Sequence, residues 1–122
     1  MALFRATVFT DNTEQTVSAT AAYVKSIRLY RPRDPATDAF LRLWDAVNPV
    51  PGADASDVTI PIVRAGVAPA TSRTQPVVVV FPGSGLLFQT AVTAFVSQTP
   101  AGGAAPGNTS TPVVEINFAP IL

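Results

Sequence analysis

The chain has 122 residues, with eight Lys or Arg against eight Asp or Glu; this allows one core and removes any global field that would draw it to nucleic acid or an anionic membrane. There is no Cys and no His, which excludes disulfides, thiolate catalysis and Cys-ligated metals, together with the commonest general base and metal ligand. Charged residues make up only 13% and hydrophobic ones 48%, against a usual charged fraction of about 25%, and a surface so poor in charge suits a protein that lives against partners.

The opening MALFRATVFTDN has no charged leader followed by an apolar run, because Arg5 and Asp11 interrupt it, and no stretch of eighteen apolar residues occurs anywhere. The expectation is synthesis in a cytoplasm, with no helix through a membrane. In LFRATVF, Phe4, Ala6 and Val8 share one face of a strand, and Leu3, Arg5, Thr7 and Phe9 the other. From Tyr23 to Tyr30, Ile27 and Leu29 alternate with Ser26, Arg28 and Tyr30. After the loop RPRDPATD comes AFLRLWDA, with Ala39, Leu41 and Leu43 on one side and Phe40, Arg42 and Trp44 on the other. The loop NPVPGADASD leads to DVTIPIVR, where Pro61 argues for an edge strand or a bulge. GVAPATSRTQP is a further loop, and the unbroken apolar PVVVVF after it reads as a strand covered on both faces. AVTAFVSQ is followed by a Gly/Ala/Pro-rich loop at 98–112, and PVVEINF, with Val114, Ile116 and Phe118 set against Glu115 and Asn117, ends the series. Helix is the minority expectation, for SATAAYVKSIRLY and for DPATDAFLRLWDAV with a cap at Asp34 or Thr37. Seven or eight short strands separated by Pro and Gly predict a single all-β domain over residues 1–122, a sandwich or a barrel.

The stretch FPGSGLLF, Phe81 to Phe88, invites three readings: a phosphate cradle, a nucleophilic serine or a turn. A Walker loop needs glycines five apart followed by Lys, and the dinucleotide fingerprint needs a third glycine before a helix; neither condition is met. A nucleophile elbow places its glycines two residues from the serine and needs a histidine, which the chain lacks, and a Ser-Lys pair would have to recruit Lys25, the single lysine. The turn reading remains. Asp34 with Asp38 and Asp54 with Asp57 are the close carboxylate pairs, while Glu14, Asp45 and Glu115 stand alone. As a catalytic dyad or an oxygen-only calcium site these pairs lack the remainder of a motif, and in proline-bordered loops Asp more often caps or makes a local turn bond. No cofactor, metal or catalytic residue is expected.

Phe40, Arg42 and Trp44 project together if residues 39–45 form a strand, and these residue types are enriched at the centres of interfaces. Arg28 and Tyr30 could extend the same patch from a neighbouring strand. The competing reading is that Phe40 and Trp44 belong to the core, with Arg42 snorkelling between them.

In order, the chain reads YVKSIRLYRP, AFLRLWDAVNPVPG, TIPIV and VVVVFPGSGLLFQTAVTAFVS, and over residues 20–98 this resembles a group of small structural proteins of tailed bacteriophages. The resemblance implies a jelly-roll-like β-sandwich in the virion: a capsid decoration or cement protein on the outer surface of the head, bound to the major capsid protein and assembled as a homo-oligomer, often a trimer. Residues before 20 and the loop after 98 fall outside the resemblance. An alternative is a receptor- or carbohydrate-binding module of a tail fibre or baseplate, with Trp44 and Tyr30 as stacking platforms and Asp45, Asn48 and Asp54 as polar contacts. A third is a sandwich hydrolase working through loop carboxylates.

Overall fold

A computed structural model describes residues 2–6, 14–30, 37–63, 77–104 and 113–121. Among these residues there is no helix, and so none long and apolar enough to cross a membrane. The β-branched and aromatic runs form nine strands: β1 (Ala2–Ala6), β2 (Gln15–Ser18), β3 (Ala22–Tyr30), β4 (Ala39–Trp44), β5 (Val58–Val63), β6 (Val77–Val80), β7 (Leu86–Phe88), β8 (Val92–Ser97) and β9 (Val113–Pro120). Over their described residues, both segments given a helical alternative hold a strand and no helix. SATAAYVKSIRLY contributes β3 and DPATDAFLRLWDAV contributes β4, because each finds strand neighbours on both sides and the ladder outweighs the helix propensity of Ala and Leu.

The strands make two antiparallel sheets. One runs β1-β9-β3-β6, with β7 also on β3, and the other runs β2-β8-β4-β5. The chain changes sheet at every connection except β4 to β5 and β6 to β7. The core between the sheets takes Ala22, Val24, Ile27 and Leu29 of β3, Ala39, Leu41 and Leu43 of β4, and Val114, Ile116 and Phe118 of β9, all at 8% exposure or less. The faces read from period two on β3, β4 and β9 are the faces observed. The strand β2 has no counterpart in the sequence reading. Pro61 lies on β5, an edge strand, next to a shift of register between Ala39 and Phe40, so both reasons for a proline there hold together.

One expectation needs correction and another becomes more specific. First, PVVVVF is not covered on both faces: β6 ends its sheet, with Val77 and Val79 packed on the core and Val78 and Val80 at 50% and 69% exposure. Four consecutive valines carry no alternation to distinguish the two cases. Second, FPGSG does turn, at Gly83 and Ser84, and does lead from one strand into the next, but the two strands it links do not pair with each other. β6 and β7 both pair antiparallel with β3, β6 against Ser26 to Leu29 and β7 against Ala22 to Val24, so they are two pieces of one edge strand running the same way. The residues between them, Phe81 to Gly85, leave that edge and rejoin it.

Where this excursion rejoins, β3 itself is irregular. In its pairing with β9 the register shifts between Val24 and Ser26, leaving Lys25 as an extra residue. The Phe81 amide donates to the Lys25 carbonyl at 3.0 Å and the Gly85 amide to the Pro82 carbonyl at 3.2 Å. Gly85, at φ 101°, lies so close to β3 that a Cβ would stand 2.5 Å from the Val24 carbonyl oxygen; only glycine fits both the angle and the gap.

Candidate functional site

Phe40, Arg42 and Trp44 do share a face of β4, opposite to that of Leu41 and Leu43; of the competing reading, Trp44 does belong to the buried core cluster, and Phe40 does not. Across the ladder to β8 they meet Ser97, Phe95 and Thr93. The chain covers this outer face with its own loops. The β4–β5 connection folds back with Pro49 and Pro51 buried, and the segment after β8 reaches it at Gly102 and Gly103. The two loops touch backbone to backbone at Gly52 and Gly103, where a Cβ on Gly103 would stand 3.1 Å from the Gly52 nitrogen.

Arg42 joins the two loops to the sheet. Its Nη1 donates to the Pro51 carbonyl at 2.8 Å and to the Gly102 carbonyl at 2.7 Å; Nη2 donates to the Asp54 carbonyl at 3.2 Å, and Nε to the Ser56 hydroxyl at 3.2 Å. The guanidinium also stacks over the Trp44 ring, 4.6 Å from its centroid, while Trp44 Nε1 donates to the same Asp54 carbonyl at 3.2 Å. Burial lowers the pKa of Arg42, yet a guanidinium keeps its charge at any ordinary pH, so these acceptors solvate a cation.

The interface expected from Phe40, Arg42 and Trp44 is therefore not displayed. Arg42 is 0% and Trp44 2% exposed, and Phe40 is half-buried. Nor does Arg42 snorkel, because its head is capped by carbonyls and not by water. Arg28 and Tyr30 do not extend the patch: they lie on β3, in the other sheet, on the opposite side of the sandwich. Arg28 is exposed and Tyr30 half-buried, with Arg28 directly opposite Glu115 on β9 and Val78 on β6. As stacking platforms for a sugar, Trp44 is closed and Tyr30 stands on the far face.

The aspartates bind the backbone. The Asp45 carboxylate, at the end of β4, accepts from the amides of Gln89 (2.9 Å), Thr90 (2.7 Å) and Ala91 (3.3 Å), tying the turn between β7 and β8 to the other sheet. Burial raises its pKa, but the three amides outweigh this and hold the carboxyl below its ordinary value. Asp54 accepts from the Val50 amide at 2.7 Å, the local turn bond expected of Asp in such a loop, whereas Asp57 accepts from the Asp45 amide, also at 2.7 Å, twelve residues back across the β4–β5 connection. Asp34 lies outside the described residues. Asp38 precedes β4 and is exposed, and among the described residues no group of three or more acidic side chains could hold a metal ion.

Ser84 is exposed on the excursion between β6 and β7. Lys25 does run beside that segment, its Cδ within 3.2 Å of the position a Gly85 Cβ would take, and its ammonium lies 5.7 Å from the Tyr23 ring centroid. A cavity of about 330 Å³ opens beside Arg42, lined by Asp54, Ser56, Thr59 and Pro100. Sequence reasoning missed this cavity and the loop roof, since both depend on residues that arrive about 10 and 60 positions from Arg42.

The chain matches no protein-family model, no curated protein and no solved structure.

Proposed function

We propose that this protein is a non-enzymatic structural component of a bacteriophage virion, a decoration or cement protein that binds the major capsid protein on the outside of the head as a homo-oligomer. One contrast carries the reading. Arg42, Trp44, Asp45, Asp54 and Asp57 are engaged with the chain's own loops, whereas Val47, Val50, Val78, Val80, Leu87 and Ile121 are between 41% and 69% exposed. Polar side chains are used to stiffen the loops, and apolar ones are left for contact. A cement protein of this kind adds buried area across capsid joints, on the order of 1,600 Å² for each standard interface, and so resists the pressure of packaged DNA.

The test is quantitative mass spectrometry of purified particles together with their reconstruction by electron microscopy. Hundreds of copies over the shell are the expected result. A handful of copies at the tail would transfer the protein to the second reading, a receptor- or carbohydrate-binding tail module. The cavity by Asp54, Ser56 and Thr59 favours that reading, since such groups hydrogen-bond sugar hydroxyls. Absence from particles would overturn both.

A further inference from the structure

The free edge of β6 has a geometry that only some partners fit. The Phe81 amide donates to the Lys25 carbonyl, which continues the ladder pairing Val80 with Ser26, Val79 with Ile27 and Val78 with Arg28. In an antiparallel ladder, residues alternate between exchanging both hydrogen bonds with the neighbour and turning both groups away from it. Phe81 and Val79 therefore face β3, while Val78 and Val80 turn their N–H and C=O to the open side. Among the described residues no strand lies there. The side chains of these same two residues are the exposed ones, at 50% and 69%.

We infer that β6 pairs antiparallel with β6 of a second copy, about a two-fold axis through Val79. In that register Val78 faces Val80 of the second copy and Val80 faces its Val78. Each pair exchanges two hydrogen bonds, so four bonds satisfy every outward group on both copies. A one-residue slip leaves some of these groups unpaired. Paired residues share a face, so the four valine side chains of positions 78 and 80 cluster on the outer surface, a pairing of β-branched residues that suits a sheet. An isologous contact of this kind needs a surface complementary to itself, and a strand without charge that carries valine at positions 78, 79 and 80 around its dyad meets that need. Among the described residues, the nearest charged side chain on this face, Arg28, is one strand further in. Its two copies would be three strand spacings apart, about 14 Å, beyond the Debye length of about 8 Å in physiological salt. Nothing on the strand opposes association: it has no lysine, no proline and no inward charge of the kind that guards an edge.

Four residues a side bury much less than the roughly 1,200 to 2,000 Å² of a stable interface, so the isolated pair is weak and strengthens when copies are concentrated. A two-fold contact closes a dimer; the trimer that the resemblance implies needs another surface. The inference does not rest on the virion reading and is tested on the purified protein.

Sedimentation over a concentration series should show a monomer–dimer equilibrium. Replacing both Val78 and Val80 by Lys should weaken it by at least about tenfold, because like charges then stand opposed around the axis. Circular dichroism should be unchanged, since both side chains face water in the monomer. The chain is free of cysteine, which gives a second measurement. Under oxidation a mixture of Val78→Cys and Val80→Cys proteins should cross-link between copies, and neither protein alone should do so efficiently. A monomer at every concentration, an oligomer unaffected by the lysines, or the absence of a 78-to-80 cross-link would overturn the inference.

Discussion

Three carbonyl oxygens and a hydroxyl take the place of water around the Arg42 guanidinium, and they come from two loops that otherwise have little reason to meet. The planar fork matters here, because an ammonium cannot reach acceptors spread over so wide an arc. Arg42→Lys is expected to lower unfolding free energy by about 2 kcal/mol, and Arg42→Ala by about 4 kcal/mol, since the alanine leaves the buried Pro51 carbonyl and the half-buried Gly102 carbonyl without their donor. Urea denaturation measures both. The sequence shows which face of β4 Arg42 lies on, by simple alternation with Leu41 and Leu43. It does not show that the face is roofed, because the roof is built from loops whose path period two cannot follow. Asp45 makes a different prediction. Its carboxyl titrates below its ordinary value of about 3.9, so its contribution to stability is present above that pH and is lost as the pH falls through the lower, folded value. The urea midpoint should therefore drop as solutions are acidified below about pH 4, and Asp45→Asn should reduce that dependence while costing about 1 kcal/mol at neutral pH.

The edge formed by β6 and β7 shows what an element can conceal. Val77 to Val80 read as strand correctly, but four valines look alike from either side, so the open face could not be seen. Pro82, Gly83 and Gly85 announced a departure from strand geometry, yet whether the chain reverses or resumes depends on β3, about 60 residues earlier. The two glycines can be told apart by substitution. Gly83, at φ 64°, has nothing within 4 Å of where a Cβ would stand, so Gly83→Ala should cost about 1 kcal/mol, the backbone term alone. Gly85→Ala meets the Val24 carbonyl oxygen as well and should cost about 3 kcal/mol, with β7 lifted from β3. Thermal unfolding gives the ranking, and equal losses at the two sites would contradict the packing described for Gly85.

Across the whole molecule, the sandwich was legible because alternation on β3, β4 and β9 agrees with one shared core. The short β2 escaped notice because QTVS offers one buried apolar side chain, Val17, and no repeated pattern. The order of strands was beyond reach for the same reason that folding should be slow: nearly every pairing is made between segments distant in the chain, so loop closure precedes any gain. β1 and β9 are the extreme case, first and last strands paired from Ala2 with Phe118 to Ala6 with Val114. Deleting residues 1–6 would bare the edge of the eight-residue β9, and the shortened protein should aggregate, as light scattering against the full chain would show.

That pairing also decides how the molecule bears tension. Ala2 and Phe118 sit at the same end of their ladder. A pull between these two residues would strain the hydrogen bonds one after another, like opening a zip, and the sheet should part at low force. Attached instead at Ala6 and Phe118, the same ladder would be loaded lengthwise, all bonds sharing the strain, and should hold to a higher force. A load that enters through the flanks of the sheets would spare the molecule that weakness.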